Sequence, residues 1–205
     1  MERLKHWIRD YIHAIHKQSH TFIYRKPPEH FLGLVERNKA PIILIPGLLE
    51  KWHFLEVITE PLSLKGHPIY ALEHLGYNVK DISETAKLVR ELIDEKDLRD
   101  VIIIAHSKGG LIGKYILTYY NSDGRVKKLI AIATPFGGSR IVKFFPIKSL
   151  RELSPDSQQV HSLKKEKTVN RCITSIFGLF DNHIWPETSC KLEGAKKLQV
   201  EVNGH

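Results

Sequence analysis

The run Val101-Ile-Ile-Ile-Ala105-His106-Ser107-Lys108-Gly109-Gly110-Leu111 sets a serine between a β-branched apolar stretch and a helical period. A serine at the tip of a sharp strand-to-helix turn holds its hydroxyl out at the top of a sheet. Small residues two positions before and after it, here Ala105 and Gly109, let the strained turn approach neighbouring backbone. That arrangement suits nucleophilic attack on a carbonyl carbon. The plainer alternative is a helix N-cap, since serine at such a position also accepts from helical N–H groups. The strand-turn-helix context favours the nucleophile. Acyl transfer further needs donors for the oxyanion that forms on the attacked carbonyl. The backbone N–H of Lys108 is one. A second is expected from the loop after an earlier strand, and Ile42-Ile-Leu-Ile45-Pro46-Gly47-Leu48-Leu49 offers it through Leu48, with Gly47 letting the backbone turn closely.

The elements that must hold these groups are readable from periodicity. From Pro41 onward, short β-branched runs alternate with helical periods, the pattern of a parallel sheet buried on both faces. Strands are expected at Ile42 to Ile45, Ile69 to Leu72, Val101 to Ala105, Lys128 to Ala133 and Cys172 to Phe177, with a sixth at Leu198 to Val202. Helices are expected over Trp52 to Leu62, over Ile82 to Lys96 with Asp81 or Ser83 as N-cap, and over Gly110 to Tyr120. The fold class is therefore α/β, a three-layer α/β/α sandwich with a mostly parallel sheet. Residues 139–171 are too long for a bare connection and are expected to hold their own helices as a cap-like insertion. Residues 1–31 read as an N-terminal extension to an α/β domain over 32–205, with a break at Pro27-Pro28. Within the extension Leu4, Trp7, Ile8, Tyr11, Ile12 and Ile15 form one apolar stripe of a helix over residues 3 to 17. We expect the stripe to pack on the α/β core; the competing reading lays it, with Lys5, Arg9 and Lys17, on an anionic membrane surface.

Three segments together resemble the lipase/esterase type of α/β-hydrolase, close to triacylglycerol lipases and inositol-deacylase-like hydrolases. They are Ile45-Pro-Gly-Leu48, Ala105-His-Ser-Lys-Gly-Gly110 and Ala133-Thr-Pro-Phe-Gly-Gly-Ser139. The resemblance covers most of residues 41–205, and Ala105 stands where glycine is more usual. It implies an acid after a later strand and a histidine beyond the last one. Asp181, in Phe177-Gly-Leu-Phe-Asp181-Asn-His-Ile-Trp-Pro186, is the acid so implied. His205, after Leu198-Gln-Val-Glu-Val202-Asn-Gly, is the general base. The resemblance also implies an apolar acyl side bordered by Leu49, Phe136, Phe144 and Phe145, and cleavage of a small-molecule or lipid carboxylic ester through an acyl-enzyme on Ser107. Similar lipases usually continue into a helix after this histidine, whereas this sequence stops on it. That departure keeps open a piece of a longer chain and a noncatalytic protein of the same fold. An acyltransferase or thioesterase on the same residues is the nearest chemical alternative.

Other classes recede. An apolar share of 42%, charged share of 26% and aromatic share of 9% are ordinary for a globular domain of 205 residues, so disorder and coiled coil are disfavoured. The net charge of +8 leaves anionic partners open. Its excess falls in residues 1–40 and 139–171 rather than on a recognition helix, so nucleic acid is not expected. No metal or cofactor is expected, because neither metal-ligand spacing nor a phosphate-cradling glycine loop occurs. His106 is expected to make a structural contact, and His183 follows Asp181 too closely to serve as its base. Cys172 and Cys190 are expected to be free thiols. With no readable secretory signal or membrane-length apolar run, the sequence suggests a soluble, cytoplasmic protein, peripheral at a membrane in the second reading of its N-terminal stripe.

Overall fold

The computed structural model describes residues 26–144, 148–180, 184 and 186–203, so the helix expected over 3 to 17 lies outside the described residues. Among the described residues, six strands form one sheet: β1 (Ile42–Ile45), β2 (Ile69–Ala71), β3 (Val101–His106), β4 (Val126–Ile132), β5 (Ile173–Phe180) and β6 (Lys196–Asn203). Their order is β2-β1-β3-β4-β5-β6 and every neighbouring pair is parallel. Each strand expected from sequence is present. β4 starts earlier than its β-branched run suggests, because buried Val126 pairs with Val101 while Lys127 and Lys128 point to solvent across a register shift. A pair of lysines reads as a break in sequence, yet it is carried here on an irregular stretch of ladder.

The helices are α1 (His30–Gly33), α2 (Glu56–Ser63), α3 (Ile82–Glu95), α4 (Lys108–Tyr119), α5 (Lys148–Arg151) and α6 (Gln158–Lys165). The helix expected over 52 to 62 begins as a 3₁₀ turn, Trp52–Leu55. That tighter winding eclipses residues three apart, which puts Trp52 and Leu55 together on the sheet, both buried. Alternation along the strands divides the core in two. Ile43, Ile45, Val101, Ile103, Ala105, Leu129 and Ala131 face α3 and α4, whereas Ile42, Leu44 and Ile104 face Phe31, Trp52 and Leu55. On α3, Ile82, Ala86, Val89 and Ile93 recur on the buried face.

Phe31 of α1 belongs to this core and meets Trp52 edge to face at 5.7 Å. Beside it, Ser63 Oγ donates to the His30 carbonyl at 2.9 Å and accepts from His30 Nδ1 at 3.0 Å. The described part of residues 139–172 holds 3₁₀ turns at Arg140–Phe144 and Thr168–Cys172 together with α5 and α6, and Val142, Leu153 and Leu163 join the core on the α4 side. Cys172 is half-buried and Cys190 buried, and no disulfide joins the two. β6 is an outer strand with Leu198 and Val200 exposed, flanked by exposed Lys196 and Lys197. Among the described residues, no helix is long and apolar enough to cross a membrane.

The chain runs from β1 outward to β2 and then returns to the other side of β1 as β3. The loops leaving the C-terminal ends of β1 and β3 therefore separate at a topological switch point, where open parallel sheets bind their ligands.

Candidate functional site

Ser107 follows β3 directly and precedes α4, with φ 49° and ψ −119°. Such a backbone is strained for any residue with a Cβ, at a cost of about 1–3 kcal/mol. It stands at the N-cap position of α4 but makes no side-chain cap bond, and it lacks the extended backbone of an ordinary capping serine. Its N–H donates to the Ile132 carbonyl at 2.9 Å, which pins the turn to the end of β4. The side chain is half-buried and so reachable from solvent.

The small residues around the serine have identifiable neighbours. A Cβ on Gly109 would fall on the Ile45 carbonyl oxygen and come within 2.9 Å of the Pro46 oxygen. A Cβ on Gly110 would fall on Thr134 Oγ1. The first turn of α4 thus touches the loop after β1 on one side and the Ala133-Thr-Pro-Phe136 segment on the other. Ala105 is fully buried, and Ala133, just after β4, has φ 47°, a second positive-φ residue beside the first.

Lys108 opens α4, where its N–H has no preceding turn of helix to receive it. Leu48 is half-buried in the loop after β1, and among the described residues no hydrogen bond takes up its N–H. Leu49 differs: its N–H donates to the Tyr77 carbonyl at 2.7 Å, its φ is 61° and its side chain is exposed. Lys108 N–H adjoins Ser107 in the chain and Leu48 N–H lies in the loop after β1, while the donor of Leu49 is spent internally.

His106 makes the structural contact expected of it. Its Nδ1 lies 2.9 Å and 2.8 Å from the two Glu50 oxygens, which accept from it, and its ring lies parallel to Phe54 at 6.3 Å. Glu50 Oε2 also accepts from Gly47 N–H at 2.7 Å. On the other flank the Lys108 side chain is fully buried, and its Nζ donates to the carbonyls of Asn78, at 3.1 Å, and Lys80. Burial pushes its ammonium down from 10.5 to about 8, against the opposing pull of Glu152 and Asp81. Sequence reasoning missed Glu50 and Asn78. A glutamate three residues beyond a turn glycine and an asparagine in a polar loop carry no local sign of such partners.

Phe136 is buried and lines a cavity of about 450 Å³ between the 139–171 insertion and the β5–β6 connection, together with Arg140, Lys164, Asn170, Lys191 and Leu192. Ser107 is not among the residues lining it. The side chain of Phe144 and all of Phe145 lie outside the described residues. β5 ends at Phe180 and β6 at Asn203; Asp181 and His205, which follow them in the chain, are likewise outside the described residues. No group of three or more His, Cys, Asp or Glu capable of holding a metal ion occurs among the described residues.

Comparison with known proteins bears on the family and the fold. The chain is 30% identical over 136 residues to a Mycoplasma genitalium protein provisionally named esterase/lipase 3, covering 62% of this chain and 45% of that one. A second match, to the protein of the same name from Mycoplasma pneumoniae, is 32% identical over 77 residues, covering 37% of this chain and 28% of that one. The chain thus spans less than half the length of the curated relatives it matches. Among solved structures, a Paleococcus ferrophilus monoacylglycerol lipase superposes with a TM-score of 0.63 at 14% identity, covering 85% of this chain and 88% of that one. A Bacillus licheniformis lipase in its mature form gives 0.60 at 17% identity, covering 87% of each chain. At such identities the likeness is one of fold. The sequence pattern of the alpha/beta hydrolase fold matches residues 40–156, more than half of the chain, and the protein belongs to that family.

Proposed function

We propose that the chain hydrolyses carboxylic esters bearing an apolar acyl group, through an acyl-enzyme on Ser107. Ser107 Oγ attacks the ester carbonyl, while His205 takes the hydroxyl proton and returns it to the leaving alkoxide. Asp181 orients the imidazole and stabilises its charged form. The backbone N–H groups of Leu48 and Lys108 receive the negative charge that develops on the carbonyl oxygen, a contribution made in the transition state rather than the ground state. Water then attacks the acyl-enzyme by the reverse proton transfers, releasing the acid and restoring the serine. Leu49, Phe136, Phe144 and Phe145 border the acyl chain in this reading.

The observation that carries it is the conformation of Ser107, held at φ 49° in a helix-capping position without forming a cap bond. Strain of this kind is kept where function uses it. The esterase and lipase names of the relatives supply the ester class. A fluorophosphonate probe with site mapping, together with p-nitrophenyl esters of increasing acyl length, tests the reading. Labelling at Ser107 and turnover that both disappear in Ser107→Ala are expected. A folded wild-type protein that takes no label at Ser107 overturns the reading.

A further inference from the structure

Both neighbours of Ser107 in the chain reach away from it, His106 directly to the loop after β1 and Lys108 to the same loop through Asn78. His106, the last residue of β3, donates through Nδ1 to the Glu50 carboxylate. The same carboxylate accepts from Gly47 N–H at 2.7 Å, and Glu50 N–H closes the turn on the Gly47 carbonyl at 3.3 Å. Lys108, on the other side, donates from Nζ to the Asn78 carbonyl. Asn78 Nδ2 in turn donates to the Pro46 carbonyl at 2.6 Å. Pro46 and Gly47 are the residues immediately before Leu48. The Pro46–Gly47 peptide, one before the peptide that carries Leu48 N–H, is thus gripped from both flanks of the nucleophile.

Four features say that these contacts are built rather than incidental. Glu50 and His106 are 9% and 8% exposed, and Asn78 and Lys108 are 1% and 0% exposed, so each polar group gave up water to be there. A Cβ on Gly47 would lie 2.8 to 2.9 Å from the Glu50 carboxyl atoms, so the carboxyl group occupies the space a side chain at 47 would need. Asn78 itself sits at φ 49°, a left-handed backbone that asparagine tolerates better than most residues. Leu49, next in the loop, is tied separately through its N–H to Tyr77.

We infer that Glu50 and Asn78 are positioning residues for ester hydrolysis: through His106 and Lys108 they fix the loop Pro46-Gly47-Leu48 against the nucleophile turn, and so aim Leu48 N–H at the developing oxyanion. The inference rests on the ester reading of Ser107. A donor aligned with charge that appears only in the transition state lowers the barrier without tightening substrate binding. Loosening the loop therefore lowers kcat and leaves KM nearly unchanged.

The test measures kcat and KM on p-nitrophenyl butyrate, with thermal melts, for wild type, Glu50→Ala, Glu50→Gln, Asn78→Ala and Asn78→Asp. Glu50→Ala and Asn78→Asp are expected to lower kcat about tenfold or more with KM changed less than about threefold. Asn78→Asp keeps the shape but removes the donor to Pro46. Glu50→Gln is expected to recover part of the loss, since its amide oxygen still accepts from Gly47 N–H. If an alanine variant fails to fold, the two near-isosteric variants carry the test. Folded variants with wild-type kcat, or a loss confined to KM, overturn the positioning role while leaving ester hydrolysis standing. A wild type that neither takes the phosphonate label nor turns over ester overturns both.

Discussion

Ser107 holds a backbone that glycine adopts at little steric cost, so its hydroxyl is kept in place against the local preference of the chain. Ser107→Gly is accordingly expected to stabilise the fold by about 1 kcal/mol in urea unfolding while abolishing phosphonate labelling. Ser107→Ala keeps the Cβ, and so the strain, and is expected to lose labelling without that gain. Gly109 gives the opposite case. Its added methyl would strike the Ile45 carbonyl oxygen, a backbone atom that cannot swing aside, so Gly109→Ala is expected to cost about 3 kcal/mol or more. The need for small residues around the serine was legible, because a strained turn forces close approach whatever its neighbours are. Glu50 and Asn78 were not legible. Glu50 is 56 residues from His106, and Asn78 is 32 from Pro46, so only the folded sheet brings these partners together.

α3 and α4 show what periodicity conveys and what it hides. The apolar spacing of α3 set its limits to within a residue, since one face packs on the sheet and the other meets water. Its N-terminal cap was sought among its own residues, Asp81 or Ser83. In the structure Asp81 makes no side-chain cap bond, and Ile82 N–H instead donates at 2.9 Å to Glu152 of the insertion. α4 is buried nearly all round, so polar residues on it lie inside. Lys114 is 1% exposed, and burial pushes it down from 10.5 to about 8, with Glu166 pulling the other way. Between those values the unfolded chain holds more protons than the folded one, so stability rises with pH from about 8 to about 10.5. Below pH 8 the penalty is present in full, up to about 3 kcal/mol. Lys114→Met is therefore expected to raise the unfolding free energy at pH 7, with a gain that shrinks above pH 8 and vanishes near pH 10.5. Urea titrations of both proteins at pH 7, 9 and 10.5 check the sign and the window.

At the scale of the whole molecule, strand type and number were legible because runs buried on both faces must be apolar throughout. Strand order and register were not, since a parallel sheet lets any crossover of suitable length choose its neighbour. The order β2-β1-β3 is what brings the loops after β1 and β3 to one switch point, and with them Leu48, Ser107 and Lys108. The outer position of β6 carries a further cost. Among the described residues no strand pairs with its outer edge, which leaves a template for another extended chain; Leu198 and Val200 on it are exposed, and Lys196 and Lys197 sit at its start as like charges near any incoming copy. Neutralising that pair, as in Lys196→Thr with Lys197→Thr, is expected to leave ester turnover near wild type while shifting the protein toward higher assemblies in light scattering. The two lysines would then act as gatekeepers against self-association, keeping molecules apart rather than holding one molecule together.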